Sequence, residues 1–93
     1  MARITRTITT GNQFTDPVQL SGYFNLSISG TWVGTITVQR SFDLGSTWLD
    51  VDTFTVNTEE YGLEPEHTNP VYYRIGAKAN AFTSGSANLR LSL

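Results

Sequence analysis

Strict alternation of apolar and polar side chains is the feature that most limits how this chain can fold. In the segment YFNLSIS, residues 23–29, Asn25 and Ser27 separate three large apolar residues. Residues 71–79 and 87–93 follow the same two-residue period. That period places the apolar side chains on one face of a β-strand. Such strands bury one face and leave the other polar, which is typical of antiparallel sheets.

Clusters of glycine, proline, asparagine and serine separate the strand-like segments, and patterns typical of helices are nearly absent. The predicted strands are residues 2–10, 23–29, 31–42, 48–56, 71–79 and 87–93, with a weaker candidate at 14–20. Residues 1–10 are predicted to form either the first strand or an arm. The predicted turns are Ser29–Gly30 and residues 80–85, whereas residues 58–69 are predicted to be a long polar connection.

Strands with one apolar face must pair into sheets that pack on each other. In a chain of 93 residues this predicts one all-β domain spanning residues 1–93, an antiparallel β-sandwich of about six to eight strands. Its strand order is jelly-roll-like or immunoglobulin-like. The alternation slips near Asp52–Thr53, which indicates a β-bulge. Arg40 falls on the apolar side of its strand, which indicates a bulge or a strand end near it. The predicted core consists of Trp32, Ile36, Val38, Trp48, Tyr73, Ile75, Leu89 and Leu91.

Composition limits the class of protein and its partners. The chain is 39% hydrophobic and 15% charged, a balance that favours a folded domain over disorder. The net charge is -2 and the six basic residues are dispersed, so we expect no nucleic-acid partner. Without cysteine the chain can form neither a disulfide nor a thiolate metal site. We find no export signal and no apolar run of the ~18 residues that span a membrane, so synthesis in the cytoplasm is expected.

The segment SFDLGSTW matches the pattern S-x-D-x-G-x-T-W, known as the Asp-box, at every fixed position. Asp43 is predicted to accept hydrogen bonds from backbone N–H groups of the turn, and Gly45 to supply a positive φ. Ser41 and Thr47 are predicted to pair across the strands, while the ring of Trp48 covers the base of the hairpin. Because each fixed residue has a structural task, we interpret the Asp-box as a hairpin rather than a substrate site.

The Asp-box is best known from sialidases and other β-propellers, so a sugar-cleaving enzyme is the alternative interpretation. A propeller needs at least ~4 blades of ~4 strands, and this chain is too short for that. A glycosidase also needs two carboxylates across a cleft. Asp50 and Asp52 are predicted to share one face of a strand, as ordinary surface residues. With no serine-nucleophile motif either, we expect no catalysis.

The acidic segment EEYGLEPEH, residues 59–67, is the remaining candidate for a metal site. Its carboxylates and its histidine are Glu59, Glu60, Glu64, Glu66 and His67. The segment lacks the D-x-D-x-D-G spacing of calcium loops. We therefore predict an exposed acidic connection, with no metal and no cofactor.

Aromatic residues offer binding as an alternative to catalysis. Alternation places Trp32 and Tyr73 in the core and Tyr23, Tyr61 and Tyr72 on outer faces. Outward tyrosines are suited both to protein interfaces and to stacking on sugar rings.

A longer part of the chain resembles small β-rich structural proteins of tailed bacteriophages. The resemblance rests on the segment GTWVGTITVQRSFDLGSTWLDV at residues 30–51, on YYRI at residues 72–75, and on GSANLRL at residues 85–91. It covers residues 22–93. Such proteins include capsid decoration proteins, head fibres, and tail or connector components, and the resemblance brings no set of functional residues with it.

The resemblance implies a non-enzymatic virion protein, most directly a capsid decoration protein that binds the major capsid protein on the outer surface and stabilises the particle. Decoration proteins similar to this chain commonly form trimers, so a homotrimer is the expected assembly. The alternatives are a tail or fibre component and a carbohydrate-binding module that holds a host-surface glycan. Arg3, Arg6 and Tyr61 are the expected interface residues.

Overall fold

The computed structural model describes residues 2–64 and 70–93, and every regular element within them is a β-strand. The strands are β1 (Arg3–Ile8), β2 (Gln13–Phe14), β3 (Val18–Gln19), β4 (Gly22–Gly34), β5 (Ile36–Ser41), β6 (Leu49–Phe54), β7 (Thr58–Glu64), β8 (Tyr72–Ala77) and β9 (Phe82–Ser92).

Residues 3–8 are a strand rather than an arm. The weak candidate at 14–20 is split into β2 and β3, with Pro17 between them. Proline interrupts a strand because it has no N–H to donate. The strand β9 already begins inside the predicted turn at 80–85.

Two antiparallel sheets pack face to face and confirm the predicted β-sandwich. Sheet A has the order β1-β9-β4-β7, and sheet B has the order β2-β8-β5-β6, with β3 also pairing with β8. If β2 and β3 count as one interrupted strand, the pairs are nested. Strand β1 pairs with β9, the interrupted strand with β8, β4 with β7, and β5 with β6. These nested ladders alternate between the two sheets, which is the order of a jelly roll. An immunoglobulin-like sandwich would place the first strand beside the second.

The hydrophobic core fills the space between the sheets and contains most of the residues predicted for it. The correctly predicted core residues are Ile36, Val38, Tyr73, Ile75, Leu89 and Leu91. Trp32 is half-buried, packs against the core and stacks on Phe82 with ring centroids 6.2 Å apart. The prediction for Trp48 is wrong. Its half-buried ring lies over the guanidinium of Arg74, on the outer face of sheet B.

Strand β4 is longer than predicted because it passes through the predicted turn at Ser29–Gly30. Gly30 has a φ of 106°, yet it keeps its partner Ala87 on β9 in an unbroken register. The register shifts only at Val33–Gly34, where β4 ends and the chain crosses to sheet B. The predicted turn is therefore wrong, since a glycine can adopt a positive φ inside a strand without ending it.

Strand β7 lies in the segment predicted to be a polar connection, and that prediction is wrong for residues 58–64. The strand pairs with β4 along its whole length. Tyr61 is exposed, whereas Glu64 is fully buried and Gly62 lies against the core. A Cβ at position 62 would be 2.6 Å from the ring of Phe24, so the strand has no side chain where that ring lies. With a glycine and two glutamates on its inner face, β7 has no apolar alternation to recognise.

Candidate functional site

The Asp-box turn between β5 and β6 is organised around one carboxylate. Oδ1 of Asp43 accepts hydrogen bonds from the Ser41 hydroxyl at 2.8 Å and from the Thr47 N–H at 2.9 Å. The Thr47 hydroxyl donates to the other carboxylate oxygen, and Oγ of Ser41 accepts the N–H of Gly45 at 2.8 Å. The predicted bond from a turn N–H is thus present, and Gly45 has the predicted positive φ, 90°. The predicted pairing of Ser41 with Thr47 is wrong, because both bind Asp43 instead.

These hydrogen bonds also fix the charge state of the turn. The bonds donated by the Thr47 hydroxyl and N–H, followed by that from Ser41, lower the pKa of Asp43 from 3.8 to about 2. Hydrogen bonds to a carboxylate favour its ionised form. Both oxygens of Asp43 are therefore occupied by its own turn.

The outer face of sheet B carries a packed cluster of rings around one guanidinium. Arg74 lies between Phe14 and Trp48, with its Cζ 4.3 and 4.4 Å from the two ring centroids. Its Nε donates to Oε1 of Gln39 at 2.7 Å, and Nε2 of Gln39 donates to Asp50 at 2.9 Å. Arg74 and the rings of Phe14 and Trp48 cover Gln39. This explains why Gln39, on the polar face of β5, is only 6% exposed.

A β-bulge separates the two carboxylates that were predicted to share one face. Adjacent residues of β5 pair with Asp52 and with Asp50, which leaves Val51 as the extra residue. Asp50 points to the outer face, where Nζ of Lys78 lies 2.5 Å from its Oδ2. The hydrogen bonds from Lys78 and then Gln39 lower the pKa of Asp50. Asp52 lies on the opposite face, so the predicted shared face is wrong, although a bulge near Asp52–Thr53 was predicted.

A buried ion pair joins the two sheets at one end of the sandwich. Oε1 of Glu64 accepts hydrogen bonds from Nη2 of Arg40 at 2.5 Å and from the Tyr73 hydroxyl at 2.7 Å. Burial, followed by the bond to Glu64, raises the pKa of the Tyr73 phenol. Arg40 keeps its place in β5, paired with Leu49 and Tyr73. The predicted bulge or strand end near Arg40 is confirmed, since the register with β6 shifts between Val38 and Gln39 and β5 ends at Ser41. The charged side chain still points inward, because Glu64 accepts its hydrogen bond.

Strands β6 and β7, with the turns that flank them, form what we call the β6–β7 side. It carries most of the large hydrophobic residues that are exposed in the described chain. These are Phe42, Leu44, Leu49, Val51, Val56, Tyr61 and Leu63. A crevice of about 100 Å³ opens between β6 and β7 and reaches the core residues Phe24, Val38 and Tyr73. Asp52 and Glu60 line the same crevice, so this side is both apolar and acidic.

Asn57 fixes the other end of the β6–β7 side. Its Oδ1 accepts the indole N–H of Trp32 at 2.8 Å, and its Nδ2 donates to the carbonyl of Gly30 at 3.0 Å. Because Asn57 lies in the connection between β6 and β7 and both partners lie on β4, these bonds hold the connection against sheet A. Asn57 at one end and the Arg40–Glu64 pair at the other therefore frame the crevice.

The three predicted interface residues lie on opposite edges of sheet A. Arg3 and Arg6 are exposed on β1, where Nη1 of Arg6 donates to the carbonyl of Phe14 at 2.6 Å. Tyr61 is 73% exposed on β7, with its ring centroid 5.9 Å from that of Tyr23. The structure thus brings Arg3 and Arg6 onto one strand but does not bring them together with Tyr61.

Within residues 2–64 and 70–93, no three histidine, cysteine, aspartate or glutamate side chains lie close enough to hold a metal ion. Glu66 and His67, which were considered as ligands, lie outside the described residues. The same two stretches contain no helix long and apolar enough to cross a membrane.

Sequence reasoning missed both the buried ion pair and the β6–β7 side. The signal for the ion pair is an arginine on the apolar side of a predicted strand, but the sequence does not show that Glu64 is its partner. The β6–β7 side depends on which strands become sheet edges, and no short segment encodes that.

Comparisons with protein-family profiles, with curated proteins and with solved structures give no significant match. Function must therefore be inferred from the chain's own residues and geometry.

Proposed function

We propose that this chain is a non-enzymatic structural protein of a tailed-phage virion, which decorates the capsid exterior and stabilises it by binding the major capsid protein. The observation that carries the proposal is the exposed apolar β6–β7 side. Contiguous exposed apolar surface is characteristic of sites that bind other macromolecules. The resemblance of residues 22–93 to phage structural proteins supplies the class of partner.

The shape of the β6–β7 side favours a protein partner over a small molecule. Its crevice between β6 and β7, at about 100 Å³, is well below the ~300–1,000 Å³ of ordinary ligand pockets. A second, open depression of about 300 Å³ beside Phe42 and Leu44 lies at the bottom of that range. Its apolar residues are spread over two sheets, with Leu49 and Val51 on β6 and Tyr61 and Leu63 on β7. A surface this broad and shallow is covered best by another folded protein.

The same side is held in place before any partner binds. The Arg40–Glu64 pair and the bonds of Asn57 connect its two ends to the rest of the sandwich. A surface that is already ordered loses less conformational entropy on binding. In this proposal the chain binds the shell as trimers. Because many copies bind one symmetric shell, their weak individual contacts sum to a large total stabilisation of the particle.

The test is to add the purified protein to undecorated capsids of the phage that encodes it and to measure co-sedimentation and the temperature of genome release. We expect binding and a higher release temperature. The double variant Leu49→Lys, Val51→Lys should bind about tenfold more weakly or worse while melting like the parent. Its matched control, Ser29→Lys with Thr31→Lys, adds the same charge to the exposed part of sheet A and should bind normally. If the protein leaves the release temperature unchanged and co-purifies with tails, a tail or fibre role replaces decoration.

An adhesion module that binds a host-surface glycan is the second candidate, and the tyrosine pair of sheet A favours it. Tyr23 and Tyr61 are 70% and 73% exposed and their rings are adjacent, so they offer apolar faces of the kind that sugars stack on. Binding on a glycan array that is lost in Tyr61→Ala, but kept in Tyr72→Ala on sheet B, would support this function. Decoration predicts no glycan signal.

A further inference from the structure

The two outer strands of sheet A are complementary to each other. Within the part of the chain that the structure describes, no strand lies beyond β1 at one edge or beyond β7 at the other. Over residues 3–8 and 58–63, each strand therefore presents a row of outward backbone N–H and C=O groups that can pair with a further strand. Such edges are common docking sites for an added strand.

The charges of the two edges are opposite. Strand β1 carries Arg3 and Arg6 and no acidic residue, while β7 carries Glu59, Glu60 and the buried Glu64 and no basic residue. Pairing β1 with β1 of another copy would bring like charges together, and so would pairing β7 with β7. Like charges in a strand pair are destabilising, whereas opposite charges are favourable. Only the combination of β1 with β7 is electrostatically complementary.

The strand directions also fit. All neighbours in the order β1-β9-β4-β7 are antiparallel, so β7 runs opposite to β1. A second copy placed in the same orientation therefore presents its β1 antiparallel to β7 of the first copy. Sheet A can continue from copy to copy without any change in the ladder pattern.

Strand lengths and faces leave one register in which all six residues of β1 are paired. Ile4, Arg6 and Ile8 lie on the inner face of β1, opposite buried residues of β9. Glu60, Gly62 and Glu64 lie on the inner face of β7. Directly opposed residues in an antiparallel pair point to the same face. Over Thr58–Glu64 the full overlap that respects both faces pairs Ile8 with Thr58, Thr7 with Glu59, Arg6 with Glu60, Thr5 with Tyr61, Ile4 with Gly62, and Arg3 with Leu63.

We propose that copies of this chain associate edge to edge, with β1 of one copy pairing antiparallel with β7 of the next, and with Arg6 opposite Glu60. The contact joins two different surfaces, so it is heterologous and generates a closed ring or an open filament. The guanidinium of Arg6 has donors to spare beyond its bond to Phe14. The inference is independent of the proposed function, because it needs only copies of this chain and no capsid.

The chain has no cysteine, which makes disulfide trapping a direct test of the register. Thr5→Cys and Tyr61→Cys change two exposed side chains that the contact places opposite each other, within reach of a disulfide. Under mild oxidation, a mixture of the two single variants should give a crosslinked dimer, and either variant alone should not. Efficient crosslinking of Tyr61→Cys with itself would overturn the proposal in favour of a symmetric β7 contact, and no crosslink in the mixture would overturn it outright.

Sedimentation velocity over a range of concentrations tests the charge pairing. The wild-type chain should form a species larger than one copy, and Glu60→Lys should weaken that association about tenfold. Asp52→Lys, which places the same change on β6 of the same side, should leave it intact. A strictly monomeric wild type, or equal loss in the two variants at unchanged melting temperature, would rule the contact out. A monomeric wild type would also remove the trimer from the proposed function, whereas capsid binding is measured separately by co-sedimentation, so the two failures can be told apart.

Discussion

The two open sides of the sandwich show two ways of finishing the edges of a sheet. The side formed by β1 and β2, which we call the β1–β2 side, is linked by polar bonds. Nη1 of Arg6 in sheet A donates to the carbonyl of Phe14 in sheet B, and the Gln13 side chain accepts the N–H groups of Thr9 and Thr10. On the β6–β7 side, the polar bridges found among residues 2–64 and 70–93 stand at the two ends, at Asn57 and at Arg40–Glu64. The space between those bridges is left as a crevice that reaches the core and is lined by apolar residues together with Asp52 and Glu60.

This difference separates what stabilises the fold from what is free to bind. A polar bridge satisfies the groups it connects and gives a partner little to gain. Exposed Val51 and Leu63 gain from being covered, because apolar surface leaves water when a partner binds. The β1–β2 side is thus closed by the chain itself, and the β6–β7 side is ordered but uncovered.

Removing the buried carboxylate should produce the largest effect of any change that tests this contrast. Glu64→Leu leaves the guanidinium of Arg40 and the hydroxyl of Tyr73 without their acceptor, and loss of one partner of a buried ion pair costs about 3–5 kcal/mol. Since Arg40 keeps 28% exposure, we expect the lower end of that range. Urea unfolding measures it. The matched control, Glu59→Leu, replaces an exposed glutamate of the same strand and should change stability by about 0.5 kcal/mol or less. Equal effects of the two variants would mean that the pair does not hold the sheets.

The opposite end of the β6–β7 side should respond less strongly. Asn57→Ala removes the two hydrogen bonds to Trp32 and Gly30, at about 1–3 kcal/mol. The same change should raise the rate of amide hydrogen exchange in β6 and β7 more than in β1, because only the former side loses its bridge. Asn25→Ala, on the exposed face of β4, is the control and should change neither quantity.

Breaking the Arg6 bridge of the β1–β2 side should cost less again. Arg6→Ala removes the bond to the Phe14 carbonyl, which lies at an exposed position, and we expect a loss of about 0.5–1.5 kcal/mol. Arg3→Ala removes an exposed arginine of the same strand and serves as the control. Urea unfolding measures the free energy of unfolding of both variants. If Arg6→Ala lowered it more than Glu64→Leu does, the β1–β2 side would depend more on its bridge than the β6–β7 side does.

The smallest effect concerns acid, and it arises in the turn that leads into β6. The pKa of Asp43 is lowered from 3.8 to about 2 in the folded protein, so its contribution to stability is complete above pH 3.8 and is lost as the pH falls toward 2. Asp43→Asn should therefore flatten the fall in melting temperature across that interval. Ser46→Ala, in the same turn, should keep the slope of the parent. If the melting temperature of Asp43→Asn fell with pH as steeply as that of the parent, protonation of Asp43 would not be what weakens the turn.

Much of the fold could be predicted because its signals are local. Phe24, Leu26 and Ile28 in β4 and Leu89 and Leu91 in β9 alternate with polar residues, and each stretch buries one face of a sheet as expected. The Asp-box was predictable for the same reason, since Asp43 finds its partners within four residues. In both cases neighbours in sequence decide the structure.

The errors arise where a partner distant in sequence decides. Arg40 points inward only because Glu64, on another strand, accepts its hydrogen bond. Gly62 belongs in a strand only because the ring of Phe24 fills the place of its side chain. The β6–β7 side has the same origin: Leu49 is exposed because β6 is the edge strand of sheet B, and the order of strands in a sheet is not encoded in that segment.

The nested order of the strands has a consequence for how the chain reaches this structure. The innermost ladder, β5 with β6, closes only the short Asp-box turn, whereas the outermost pairs Arg3 with Ser92. Loop closure costs more entropy for longer loops, so we expect the inner hairpin to form in the folding transition state and the two chain ends to join last. Val38→Ala in β5 should then slow refolding, and Ile4→Val in β1 should mainly speed unfolding. Stopped-flow kinetics decide between this order and its reverse. In the expected order, the inner ladders form while the chain is still leaving the ribosome. The β1–β9 ladder forms only after the residues of β9 have emerged.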